Sequence, residues 1–578
     1  MPRYLNRTPV ACMLAAAFSV FSVPGAVSAQ TVPDAAAAAA RQAELLQRQN
    51  QQRIDADINA ALPRPSTTPG IDTRALVPKP DASAVGKKCH PISALSISGA
   101  PHLSPSVRES LVKKFSGQCL GVAEIEEILG AVTQDYIVRG YITTRAYLAP
   151  QDLGQGKLTI TVLEGVLEAI VLDEGAHINP RNVFPAAGGL LNLRDIEQGL
   201  DQVNKLSSNS AELDIQPGKD AGASRVVIHN KPGRPFHASL SADNQGSEST
   251  GAHQTGITLS SDRLLNWNEL LLYTFRRSQP NDMERKGTES HSFTAMAPWG
   301  YSTLSYSGSR SKFVSMIAIP SGDELQFRGT SASDAFKLER LVYRDQATRE
   351  SLSATLTVKD SKSYMAGELL GVSSRKLSVL DLDSSTSTAV LGGALTLDIG
   401  YSHGLRAAGA LVDGDDLPDD APRAQFGKFK LGVNYNRPFK LAGVDAAYSL
   451  AVTAQRARTS LYGSEQILIG GLYSVRGFVE NTVSGDHGWY ARNELSVRPV
   501  ANLFEQRIPL RAFVGLDAGR VSSRAEGMPK GHLAGAAAGV TASWKGASLD
   551  VSVTKGLKLP EGMKREGAQT WVRLNIDL

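Results

Sequence analysis

The chain has 578 residues, and its 61 Lys and Arg nearly balance 57 Asp and Glu. That length is too great for one compact core and implies several domains, and the balanced charge, with no basic run interleaved with aromatics, excludes a nucleic-acid groove. Beyond the N-terminus no stretch of about 18 or more apolar residues occurs, which excludes membrane-spanning helices but leaves a β-barrel open, because barrel strands are apolar only at alternate positions.

Residues 1–29 have the layout of a cleavable secretory signal: Arg3 and Arg7, an apolar stretch from Val10 to Val23, and small residues at Val27 and Ala29 ahead of Gln30. Cys12 precedes most of that stretch and belongs to the removed segment rather than to a lipidation site. Cys89 and Cys119 are then the cysteines of the exported chain. An even pair in an oxidising compartment points to one disulfide, with two unrelated buried thiols as the alternative.

Residues 30–62 hold a polar helix, read from Asp34 to Leu62 by its Ala, Gln, Arg and Leu content and its lack of internal Gly or Pro. Leu45, Leu46, Ile54, Ile58 and Leu62 make only a narrow apolar stripe against Arg and Gln. Such a surface suits a water-filled channel or open periplasm better than a packed core. At ~1.5 Å per residue the helix is about 43 Å long, close to the thickness of a bilayer, so it is expected to plug a lumen; the alternative is a plain spacer. Residues 63–88, with Pro63, Pro65, Pro69, Pro78 and Pro80, form a semi-extended tether that cannot continue the helix.

Two small α/β units are expected next, over 89–165 and 166–232. The first reads as strand Ile92 to Ser98, helices Ser104 to Phe115 and Val122 to Arg139, then strands Tyr141 to Leu148 and Lys157 to Leu163. Cys89 and Cys119 could staple this unit, which is small for its core. The second reads as strand Val166 to Leu172, a helix near Asn192 to Leu206 capped by Asn192 and Asp195, and strands Ala211 to Gln216 and Arg225 to His229.

From about Phe236 the texture becomes one of short alternating segments. Phe236, Ala238, Leu240 and Ala242 alternate with His237, Ser239, Ser241 and Asp243; Leu352, Ala354, Leu356 and Val358 alternate with Ser and Thr; Val572, Leu574, Ile576 and Leu578 oppose Arg573, Asn575 and Asp577. One apolar and one polar face, repeated to the last residue, is the pattern of a transmembrane β-barrel over 233–578. A soluble sandwich would also alternate, but its apolar faces would have to meet in cores. At roughly 10 residues per strand plus turns the region allows about 16 antiparallel strands around a water-filled lumen.

This order of signal, polar helix, Pro-rich tether, two β-α-α-β-β units and barrel resembles the two-partner secretion transporters, the haemolysin and haemagglutinin secretion-activation family, whose small units are POTRA domains. The sharpest local match is Ile467-Leu468-Ile469-Gly470-Gly471-Leu472-Tyr473-Ser474-Val475-Arg476-Gly477-Phe478, similar to the family's loop motif that folds back into the lumen, here Val475, Arg476, Gly477 and Phe478. Phe513-Val514-Gly515-Leu516-Asp517-Ala518-Gly519-Arg520 looks like its partner strand motif. Alternation agrees independently: with Val514, Leu516 and Ala518 toward lipid, Phe513, Gly515, Asp517 and Gly519 face inward. The resemblance implies that Arg476 pairs with Asp517 inside the pore.

The resemblance further implies an outer-membrane pore in a Gram-negative bacterium, assembled by the barrel-assembly machinery and surrounded by lipid. It implies a dedicated exoprotein, an adhesin or haemolysin, whose N-terminal secretion domain docks on POTRA domains in the periplasm and is exported without nucleotide. The other reading is an assembly insertase or chaperone of the same superfamily. An enzyme is not expected, nor is a metal or cofactor: the ten His lack zinc spacing, no Ser has a nucleophile-elbow context and no phosphate-binding loop is present.

Overall fold

The computed structural model describes residues 32–63, 70–73, 89–318, 323–503, 506–524 and 530–578. The expected signal segment and most of the tether lie outside the described residues. The N-terminal helix α1 (Val32–Ala61) forms as expected, and among the described residues no helix is long and apolar enough to cross a membrane.

In the first α/β unit, strands His90–Ile92 and Gln118–Leu120 pair antiparallel, with Pro91 opposite Cys119. That pairing places the Cys89 and Cys119 Cα atoms 5.3 Å apart, joined by a disulfide. Strand Lys157–Leu163 lies between Ala94–Ser98, parallel to it, and Arg145–Tyr147, antiparallel. Helices α2 (Pro105–Phe115) and α3 (Val122–Val138) cover this sheet because Leu111 and Phe115 on one and Ile128, Val132 and Tyr136 on the other share a stripe that meets Ile97, Leu158 and Ile160. The expected strand Tyr141 to Leu148 shortens to three residues. Its first half turns instead, with Tyr141 and Thr144 amides donating to Tyr136 and Tyr141 carbonyls.

The second unit is a three-stranded sheet in which Ala223–Asn230 lies between Val166–Leu172 and Ala211–Pro217. A single α-helix, α4 (Leu193–Asn204), covers it; Asn192 caps it by accepting from the Arg194 amide. Where the first unit has α2, this one has only a turn of 3-10 helix, Pro180–Asn182. Leu167, Leu191, Ile196, Val203, Val226 and Ile228 form its core.

Sixteen long antiparallel strands, from Phe236–Asp243 to Gln569–Asp577, then close into a barrel, which settles the choice against a sandwich. Adjacent strands share up to seventeen paired residues, as between Ser302–Ala318 and Glu324–Arg344, but the closing pair shares five, Arg573 opposite Asp243 through Asp577 opposite Ser239. Outward positions are exposed apolar side chains, among them Leu304, Phe336, Leu352, Leu382, Ile399, Phe429, Leu516 and Leu574. A closed cylinder wearing such a band suits hydrocarbon, not water.

The second unit is docked on one rim. Asn182 Nδ2 donates to the Trp267 and Pro298 carbonyls at 2.5 and 3.1 Å. Arg344 Nη1 meets Asp201 at 2.6 Å, and Asp262 accepts from the Ser208 amide at 2.8 Å. Among the described tether residues, the Gly70 amide donates to the Gln346 carbonyl.

Candidate functional site

The segment between strands Val444–Ala457 and His487–Val497 folds back into the barrel as a small hairpin, Ile467–Ile469 against Val483–Gly485. Ile467, Ile469, Val475, Phe478 and Val483 bury themselves with Val521 and Leu533 of the wall. This apolar cluster on the inner face of a polar cylinder is why the loop packs inward rather than standing in solvent.

Its tip carries the motif. Arg476 Nε and Nη2 donate to the two Asp517 carboxylate oxygens at 2.6 and 2.9 Å, its backbone amide to Asp517 at 3.1 Å, and Nη1 to Glu494 at 3.0 Å. The Asp517 side chain is fully buried. A planar fork meeting a carboxylate at two points fixes direction as well as distance. Phe513 lies under the guanidinium, 5.6 Å from it to the ring centre, and under Arg511, which itself pairs with Glu494.

The wall accommodates the tip because side chains are missing there. A Cβ on Gly515 would lie 2.3 Å from Arg476 Nη2, one on Gly519 3.0 Å from Val475 Cγ2, and one on Gly535 1.8 Å from the Arg476 carbonyl oxygen. Gly477 has φ +100° with the Lys555 backbone against it, and Phe478 is buried over Gly556. The structure therefore brings Val475, Arg476, Gly477 and Phe478 to Phe513, Gly515, Asp517 and Gly519. Cys89 and Cys119 lie apart, in the first α/β unit.

Helix α1 occupies the remaining lumen. Glu44 pairs with Arg375 at 2.6 Å, and Arg48 donates to the Gly463 carbonyl at 2.6 Å. Arg53 pairs with Asp243 at 2.6 Å, and Asp57 lies 3.2 Å from Arg276 and 3.5 Å from Arg573. Arg276 also pairs with Asp243. The helix thus touches both strands of the short closing seam. Leu46 packs on Phe313 and Phe327, so the narrow apolar stripe finds a small apolar patch while its charges find partners.

Several residues here escape sequence reasoning. Glu465, at the base of the loop, is buried between Lys359 at 2.6 Å and Lys428 at 2.9 Å. The two ammonium groups give this buried carboxylate its countercharge. Glu566 accepts from the Val479, Glu480 and Asn481 amides and holds the chain leaving the motif. The legible signal was parity: Glu494 and Asp243 are carboxylates on the inward face of strands, as Asp517 is.

A model of the family described as haemolysin secretion/activation protein ShlB/FhaC/HecB matches residues 222–542, a ShlB-type POTRA domain matches 90–165, and a further POTRA domain matches 166–217. The chain is 32% identical over 566 residues to the outer membrane transporter CdiB of Escherichia coli O6:K15:H31, covering 96% of this chain and 91% of that one. It is 29% identical to the hemolysin transporter protein ShlB of Serratia marcescens, covering 84% and 86%. The solved structure of CdiB from Escherichia coli superposes with a TM-score of 0.81 at 29% identity, covering 96% of this chain and all of that one.

Proposed function

This chain belongs to the haemolysin secretion/activation family of outer-membrane transporters, and on that premise we propose how its parts divide the work of two-partner secretion. The barrel lies in the outer membrane and the two POTRA domains in the periplasm, as in the relatives. The functional units are the plug helix, 30–62, the tether, 63–88, POTRA domains over 89–165 and 166–232, and the barrel, 233–578.

One dedicated exoprotein docks unfolded on the POTRA domains, whose short outer strands Arg145–Tyr147 and Ala211–Pro217 leave edges for an extended chain to pair with. The helix leaves, and the exoprotein threads through the lumen. The observation that supports this reading is the kind of bond that fills the lumen: the helix is held by ion pairs and hydrogen bonds at its polar face, with little apolar burial, so its release exchanges these for water rather than exposing a core. The loop is held differently, by a buried fork and an apolar cluster, and stays as the fixed wall of the path. The barrel-assembly machinery inserts the barrel.

Co-expression with the exoprotein gene adjoining its own, in a host without such transporters, tests the reading. Export is expected from the full chain and lost on deletion of residues 90–165, with the barrel still folded by heat-modifiability. Export that survives loss of that domain overturns the docking role.

A further inference from the structure

On the outer face of the barrel, toward the rim away from the POTRA domains, the apolar band gives way to charge. Phe293, Tyr306 and Phe336 form a run of rings in contact, Tyr306 and Phe336 with centres 4.9 Å apart, and Tyr273 and Phe275 continue the belt with their rings against His291. Beyond it on the same outward parity stand Arg277, Arg310, Lys312, Arg328 and Lys362, all exposed. Three carboxylates share the patch: Asp334 pairs with Arg310 at 2.8 Å, Glu289 with Lys312 at 3.3 Å and with His291 at 3.1 Å, and Asp360 stands beside Lys362. Five cations against three carboxylates leave an excess of two; Arg277, Arg328 and Lys362 close no ion pair among the described residues, although Glu289, paired with Lys312, stands directly across the strand pair from Arg277.

Lys312 and Lys362 flank Thr330 in one cross-strand row, two strands and so roughly 10 Å apart. Like charges at that spacing, next to a hydrocarbon phase, are stabilised by an anion between them. Height selects the anion's carrier. The cations span a range of heights: Arg277 is two residues beyond Phe275 on its strand, about 7 Å along it and about 5 Å above the belt, and Lys312 is six residues beyond Tyr306, about 20 Å along and about 15 Å above at a tilt of ~40°. The headgroup layer of a phospholipid is only ~5 to 7 Å deep on each side.

We propose that this patch binds the phosphorylated sugar head of an outer-leaflet glycolipid of the lipid A type, its phosphates held by Lys312, Lys362, Arg277 and Arg328. The site is continuous with the lipid-facing band and needs only the outer-membrane location of the barrel, not the docking scheme above.

Native mass spectrometry of the detergent-solubilised full chain, titrated with bis-phosphorylated lipid A, with its dephosphorylated form and with phosphatidylglycerol, tests it. The wild type is expected to bind the bis-phosphorylated lipid at least about tenfold more tightly than either of the others, as loss of charge-assisted hydrogen bonds implies. The triple variant Arg277→Gln, Arg328→Gln, Lys362→Gln loses that preference while heat-modifiability shows a folded barrel. Should the triple variant misfold, Lys362→Gln alone, an exposed single change, must show part of the loss. An unchanged preference in a folded variant, or equal binding of phosphatidylglycerol by the wild type, overturns the proposal.

Discussion

Removing either side of the Arg476–Asp517 pair tests whether export depends on the seated loop. Asp517 is fully buried and Arg476 nearly so, so each deletion strands a charge, at a cost on the order of 3 to 5 kcal/mol. Asp517→Ala leaves the guanidinium its contact to Glu494 but sets it beside Arg492, which stands directly across the strand pair from position 517; Arg476→Ala leaves Asp517 the 476 backbone amide and the Arg492 charge, and leaves Glu494 its pair with Arg511. Both variants are expected within that range. Even about 3 kcal/mol shifts the ratio of seated to released loop by more than about 100-fold. Arg476→Lys retains charge but cannot supply Nε and Nη2 to two oxygens at once, and falls between wild type and alanine. A secretion assay, limited proteolysis of the loop, and heat-modifiability of the barrel are read together in the single variants and in the exchanged Arg476→Asp, Asp517→Arg double variant. The barrel is expected to fold throughout, since neither side chain joins a strand pairing or the lipid-facing band. Normal export and a protease-resistant loop in both alanine variants refute the reasoning.

Gly535→Ala puts a methyl 1.8 Å from the Arg476 carbonyl oxygen and is expected to reproduce the loop-release phenotype without touching either charge; export at the wild-type level speaks against the glycine socket. Deleting residues 34–62 is expected to raise single-channel conductance in planar bilayers with the barrel folded, and unchanged conductance removes the plug. Cys89→Ser with Cys119→Ser opens a loop of sequence separation 30 and is expected to lower the stability of the first POTRA domain by about 3 to 4 kcal/mol, read by chemical unfolding with and without reductant. Glu164 accepts from Tyr136 at 2.6 Å and contacts His102 at 2.9 Å; burial pushes its carboxyl up, yet these bonds outweigh it and hold it below its usual range. A carboxyl lowered in the folded state contributes stability above its unfolded pKa of ~4.3, lost as pH falls through the folded value, so Glu164→Gln should destabilise at neutral pH and converge with wild type in acid. Parallel pH profiles would contradict this.

How much was legible follows from the range of each interaction. Alternation of Val514, Leu516 and Ala518 with Phe513, Gly515 and Asp517 is a property of the strand itself, so the inward carboxylate and the outward band could be read from one dimension. The polar helix, its length and the two α/β units were likewise local matters of composition and period, with α2 and α3 read to within a residue at each end. Short contacts against the local pattern were harder: the strand expected at Tyr141 became a turn because the Tyr141 amide found the Tyr136 carbonyl on α3 and the Thr144 amide the Tyr141 carbonyl within the turn. What only the tertiary structure decided is which charges meet. Arg53 and Asp243, Glu465 and the pair Lys359 and Lys428, and Glu566 with the Val479 amide are 190, 106, 37 and 87 residues apart. No single-strand period relates them, because closing the barrel converts an inward parity shared by many residues into a few specific neighbours.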